Sequence, residues 1–167
     1  MKKYLTENRS QTFKLGENFA AKLVAGDILL LYGELGAGKT TFVQGLAQGL
    51  GIKDRILSPT FVLIRQYKIP YFSSSEQGES RSLSTQSSRP KGSRQARTGN
   101  LYHIDLYRIE KPQDLTSLGL WEIAGDPASI TVIEWADRIK NFKAKKGYKI
   151  YFEYLESDRR EITIKNF

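Results

Sequence analysis

The sequence predicts an α/β fold with a mixed, partly parallel sheet and few helices. Three observations carry that expectation. The apolar run from Gly26 to Tyr32, GDILLLY, lacks the polar alternation of a half-exposed strand and so reads as a strand buried on both faces. A glycine-rich loop and an amphipathic helical stretch follow it directly. Strand–loop–helix order implies a central strand with a parallel neighbour. Beyond residue 60, segments rich in β-branched and aromatic residues recur with little helical periodicity between them. With 167 residues the chain makes a single domain, long enough to bury roughly two-thirds of its unfolded surface.

The elements follow in order. Leu15, Phe19 and Leu23 recur every four residues and form one stripe of a helix, with Ser10 as its N-cap. GDILLLY is the first strand. Phe42, Val43, Leu46, Ala47 and Leu50 mark the buried face of the next helix, and Gly51 supplies its stop. Further strands are read at TFVLIRQYKI (60–69), LYHIDLYRI (101–109), SITVIEW (129–135), YKIYFEYL (148–155) and REITIKN (160–166). The turn residues ESDRR join the last two into a hairpin. KPQDLTSLGLWEI reads as a short helix starting near Pro112.

Residues 72–100, FSSSEQGESRSLSTQSSRPKGSRQARTGN, fit none of these patterns. They are poor in large apolar residues, so burial cannot offset the entropy of ordering them. They read as a disordered Ser/Arg-rich insertion between two strands of the single domain, which spans residues 1–167. The insertion holds five Lys/Arg against two Glu, so it supplies +3 of the net charge of +8. The remaining excess is modest for a nucleic-acid footprint. The chain has no cysteine, which excludes disulfides, zinc ribbons and thiol chemistry. No apolar stretch approaches the ~20 residues of a membrane span, and MKKYLTENRS has no apolar core of a signal peptide. The expectation is a cytoplasmic protein with no membrane association.

GELGAGKT, Gly33 to Thr40, fits G-x-x-x-x-G-K-[ST], the Walker A pattern of a P-loop, at each fixed position. Glycines let backbone N–H groups converge on phosphate oxygens, and the helix that follows turns its positive end to the same anion. Lys39 then reaches the terminal phosphates and the Thr40 hydroxyl can ligate Mg²⁺. The loop as a whole (Gly33, Glu34, Leu35, Gly36, Ala37, Gly38, Lys39, Thr40 and Thr41) is the expected nucleotide cradle of a P-loop NTPase. The chain has no N-K-x-D guanine-reading motif, so ATP is expected rather than GTP.

Such a site also needs a carboxylate for the metal and a group to orient the attacking water. Glu134 closes the apolar strand SITVIEW, at the edge where ligands bind in open α/β sheets. Asp105 is read inside the strand LYHIDLYRI, where acids are disfavoured, on one face with His103 and Tyr107. Metal or water coordination accounts for it; so does a salt bridge to Arg108 or to a neighbouring strand. Thr60, in SPTF, is either a turn residue or a γ-phosphate sensor. His103, the only histidine, reads as a hydrogen-bonded strand residue, and Trp135 as a core or rim aromatic able to shield the site.

Taken together, LGENFAAKL, GELGAGKTTFVQGLAQGLGI, SPTFVLIRQY, YHIDLYRI, LTSLGLWE and VIEWADR resemble the TsaE family, also called YjeE. The resemblance covers most of residues 10–71 and 101–138. It implies a bacterial ATPase that acts with TsaB and TsaD to form threonylcarbamoyladenosine at position 37 of tRNAs reading ANN codons. By resemblance, Lys39 would be the phosphate lysine, Thr40 the Mg²⁺ ligand, Thr60 the switch-like threonine, and Asp105 and Glu134 the acids of the metal and water site. The segment from Arg9 to Thr12, before the first helix, would lie near the adenine. The insertion departs from the family's shorter link at that place. Two other readings of the residues stand beside this one: a small-molecule P-loop kinase with the insertion as its lid, and a nucleotide-gated binding module with negligible turnover.

Overall fold

A computed structural model describes residues 1–59, 62–72, 97–109, 119–139 and 146–167. Its seven-stranded sheet runs β1 (Lys2–Thr6), β7 (Arg160–Asn166), β6 (Gly147–Tyr154), β2 (Ile28–Tyr32), β5 (Ile130–Glu134), β4 (Arg97–Asp105), β3 (Ile64–Phe72) from edge to edge. The apolar strand is the fourth of the seven, parallel to β5 on one side and to β6 on the other. Parallel pairing on both sides explains why four consecutive residues of β2 are buried. Leu29 and Leu31 join the core cluster on one face; Ile28 and Leu30 join that on the other. The outer pairs β1–β7, β6–β7 and β3–β4 are antiparallel.

Helices α1 (Arg9–Ala20) and α2 (Lys39–Gly49) cover one face, with Phe19, Phe42 and Leu46 against Leu29, Leu31 and Val132. They pack very closely. A Cβ on Gly16 would meet the carbonyl oxygen of Phe42, and one on Gly45 would meet that of Phe13. This explains two glycines inside helices, where each costs about 1 kcal/mol of intrinsic propensity. The opposite face is covered by α3 (Leu120–Ala124) through Leu120, with Ile104, Leu106 and Ile133 beneath.

Several expectations change. The N-cap of α1 is Asn8, whose side chain accepts from the Gln11 N–H at 3.0 Å, two residues before Ser10. Arg9 and Thr12 therefore lie in the first turn of the helix and not ahead of it. Strand β1 has too few alternating residues to read from sequence; it is held by its ladder to β7. β3 begins at Ile64, after Leu63 in the left-handed region at φ 63°, and not at residue 60. β3 reaches Phe72 and β4 starts at Arg97, so both ends of the 72–100 segment are strand. Residues 73–96 of that segment, Thr60, and the start of the helix read from Pro112 lie outside the described residues. β4 ends at Asp105, so this acid closes its strand and does not lie within it. Among the described residues, no helix is long and apolar enough to cross a membrane.

Candidate functional site

The site lies where β2, β4 and β5 end and α2 begins. From Tyr32 the chain turns through Gly33, Gly36 and Gly38, at φ 139°, 80° and 102°, into α2. Gly38 is the N-cap of that helix, and its left-handed backbone suits glycine. No side chain caps the helix there, so the N–H groups of its first turn receive no side-chain acceptor from the cap. That is a cradle for an anion at a helix N-terminus.

The Lys39 side chain folds back under the loop. Its Nζ donates to the carbonyls of Gly33 at 2.6 Å and Glu34 at 2.9 Å, and lies 4.0 Å from the centre of the Trp135 ring. Lys39 is only 5% exposed. Burial pulls its pKa below the usual lysine value, and the negative charges of Glu134, Asp105, Asp137 and Glu34 oppose that shift. Trp135 reaches this position because its backbone, just past β5, is left-handed at φ 59°.

Asp105 and Glu134 are register partners at the ends of adjacent parallel strands. Both are 2% exposed, which excludes a solvated surface role for Glu134. Thr40 Oγ1 donates to Glu134 at 2.9 Å (Oε1) and 3.0 Å (Oε2), and His103 Nε2 lies 2.7 Å from Oε1. Asp105 accepts from Ser58 Oγ and from the Tyr107 N–H, each at 2.9 Å. The bond from Tyr107 turns the chain out of β4 just after the acid. A cleft of about 220 Å³ is lined by the loop from Leu35 to Thr41, by both acids, and by Ser58, Tyr107 and Trp135.

The residues read from the sequence divide as follows. Leu35, Gly36, Gly38, Lys39, Thr40, Thr41, Asp105 and Glu134 meet at the cleft. Gly33 and Glu34 contribute carbonyls to Lys39, and Ala37 is buried beneath. Arg9 and Thr12 are not among the lining residues. Arg9 bonds Gln44 at 3.3 Å, and Thr12, fully buried, bonds the Thr6 hydroxyl at 2.9 Å. No local pattern in the sequence points to Ser58 or to the His103–Glu134 contact. Strand alternation does put His103 on the same face as Asp105, but only the register of β4 against β5 brings it to Glu134.

A family model described as threonylcarbamoyl adenosine biosynthesis protein TsaE matches residues 6–75 and 90–162. The chain belongs to the TsaE family. The interruption of the match falls inside the polar insertion. A protein of Nostoc sp. with the name tRNA threonylcarbamoyladenosine biosynthesis protein TsaE is 35% identical, covering 100% of this chain and 87% of its own. One of Bacillus subtilis with the same name is 32% identical, covering 96% and 83%. The crystal structure of Bacillus subtilis YdiB superposes with a TM-score of 0.66 at 29% identity, over 98% of this chain and 83% of that one. In this chain the fold is thus a mixed α/β sheet with few helices, as the sequence implied, with β1 as a seventh strand that the sequence did not reveal.

The cleft's oxygen donors suit a hard cation. The Thr40 hydroxyl and the two carboxylates are the kind of partial set that Mg²⁺ takes when phosphate oxygens and water complete its sphere. No group of three or more His, Cys, Asp or Glu residues among the described ones makes a complete metal cage.

Proposed function

We propose that this protein is a Mg²⁺-dependent ATPase that works as a nucleotide switch on TsaD-like and TsaB-like partners during threonylcarbamoyladenosine formation on tRNA. Family membership supports the pathway. One observation carries the chemistry: Lys39 and Thr40 of the glycine loop converge on two buried carboxylates, Glu134 and Asp105, from neighbouring strand ends. The loop from Gly33 to Thr41 holds the phosphates of ATP, and Lys39 exchanges its two carbonyl partners for phosphate oxygens. Thr40, Asp105 and Glu134 would hold Mg²⁺, which would supply charge neutralisation at the phosphates. Glu134, fixed by its hydrogen bonds, orients the attacking water. Trp135 covers the Lys39 ammonium and shields it from solvent.

The switch reading adds Thr60, whose segment leaves Ser58 beside Asp105 and re-enters the sheet at Ile64. A γ-phosphate draws such a segment in, and hydrolysis releases it. Leu35 is 74% exposed, Val62 54% and Leu57 43%, so apolar side chains stand around the cleft and on the segment itself. A partner seated there feels which nucleotide is bound. Contact with tRNA is made through that partner complex in the cytoplasm.

The test is a reconstitution with purified TsaD-like and TsaB-like proteins. The expected products are ADP and phosphate in equal amounts, with complex affinity differing between an ATP analogue and ADP. Phosphate transfer to a small acceptor would replace this reading with a kinase. Equal affinity in every nucleotide state would remove the switch, because a ligand without differential affinity shifts no equilibrium.

A further inference from the structure

We infer that His103 is a positioning residue for Glu134 and, among the described residues, the grip on this carboxylate that does not depend on the nucleotide. The inference rests on the ATPase reading above and adds a residue to its machinery. Glu134 Oε1 is held from two sides, by Thr40 Oγ1 at 2.9 Å and by His103 Nε2 at 2.7 Å. The two holders differ in kind. Thr40 lies in the first turn of α2, at the end of the phosphate loop, and its oxygen would turn to cation and phosphate when the nucleotide binds. His103 sits on β4, which is hydrogen-bonded on both sides to β3 and β5, and it is fully buried. Its ring is buried and carried by the sheet, not by the loop.

The proton's position follows from the partners. The one Thr40 proton is shared between both oxygens of Glu134, and a carboxylate has only acceptors to offer, so it faces His103 as an acceptor. Nδ1 is buried without a hydrogen-bond partner among the described residues. A proton on Nδ1 would strand a buried N–H and set a bare ring nitrogen against a carboxylate oxygen, two costs at once. The Nε2–H tautomer removes both and leaves only an unpartnered lone pair at Nδ1. His103 therefore donates to Oε1 and fixes the plane of the carboxylate, leaving its other edge toward the cleft. A carboxylate that orients water must keep one direction throughout the cycle, and a strand-borne donor provides that.

Three proteins test it: wild type, His103→Leu, which fills the volume without a donor, and His103→Gln, which carries an N–H near the Nε2 position. Saturating ATP turnover and ATP affinity are measured in Mg²⁺ for each. His103→Leu is expected to lose about tenfold or more in turnover with ATP affinity held within about threefold, and His103→Gln to recover most of the loss. Normal turnover in His103→Leu overturns the inference. So does an equal loss in both variants, or a loss of ATP affinity parallel to that of turnover, which marks a scaffold role only.

Because the chain has a single histidine, ¹⁵N-histidine NMR on the folded wild type is an independent readout. The Nε2–H tautomer is expected, with a resonance that moves in Glu134→Gln. The Nδ1–H tautomer, or a spectrum indifferent to that substitution, overturns the inference even if the leucine variant does not fold. Absence of any wild-type ATP turnover would instead refute the ATPase reading, and the spectrum would still decide whether His103 holds Glu134.

Discussion

Replacing Lys39 with methionine separates the two jobs that a buried lysine in a loop can have. The methionine keeps an unbranched apolar stem, so the packing beside Trp135 survives while the ammonium is lost. In the unliganded protein that ammonium contributes two bonds, at 2.6 Å and 2.9 Å, to the carbonyls of Gly33 and Glu34. Charged hydrogen bonds are worth about 1.5–3 kcal/mol each. The same charge bears a desolvation cost, seen in its lowered pKa. These terms oppose each other, and Glu34 is exposed, so water can replace the lysine at its carbonyl. The expected change in the melting temperature of the free protein is therefore within a few degrees.

With a triphosphate bound there is no such cancellation. Losing one pre-positioned charge-stabilising donor costs about 2.7–4 kcal/mol at the transition state, a fall of roughly 10²–10³ in turnover. Phosphate release under saturating Mg²⁺·ATP, beside thermal unfolding of the same samples, measures both quantities. Turnover within tenfold of wild type would refute the assignment of the loop, and an unfolded variant would show Lys39 to be a structural residue.

Asp105→Asn keeps one acceptor for Ser58 and Tyr107 but removes the charge; turnover should fall at least about tenfold, or 1.4 kcal/mol, and wild-type turnover would return Asp105 to a purely structural role. A short Gly/Ser linker in place of residues 73–96 should leave folding and basal turnover unchanged, because closure entropy grows only logarithmically with loop length; a collapse in thermal stability would show that the segment carries structure. In free protein, the pKa of Lys39 lies below the unfolded value of 10.5. Between the two values the unfolded chain holds more protons, so the contribution of Lys39 to stability rises with pH. Lys39→Met should abolish that alkaline slope in denaturant titrations, and an identical slope in both proteins would contradict the shift.

The central strand and the phosphate loop were legible because each is encoded locally, in a run of apolar residues and in glycines that no ordinary helix or strand would place together. The hairpin of β6 and β7 was legible for the same reason. What the sequence could not state is pairing. β1 is five residues long and depends on β7, which lies more than 150 residues further on. The far end of β4 is not legible, because LYRI alternates like a strand while the Asp105 carboxylate binds the Tyr107 N–H and turns the chain away. His103 and Ser58 are ordinary residues until register and a connecting segment bring them to the two acids. Local chemistry was visible in one dimension; its partners required the sheet.

Two carboxylates side by side at the ends of parallel strands repel each other, and the free protein meets that cost with donors. Asp105 has Ser58 and the Tyr107 N–H, Glu134 has Thr40 and His103, and Lys39 supplies positive charge nearby. An incoming triphosphate draws the field of Lys39 to itself and adds several negative charges to the same cleft. At an effective dielectric of 20 and a separation of about 6–8 Å, each pair of like unit charges costs roughly 2–3 kcal/mol before salt screening. Without a divalent cation, then, Glu134 opposes the ligand that it serves. Glu134→Gln keeps a side chain of the same shape and should bind ATP about tenfold more tightly than wild type when EDTA removes the metal, allowing for screening. In Mg²⁺ that advantage should vanish or reverse, while turnover falls at least about tenfold. Calorimetric titration with ATP under both conditions provides the comparison. A glutamine variant that binds metal-free ATP no better than wild type would mean that Glu134 does not face the phosphates, and the placement of the metal between them would fail with it.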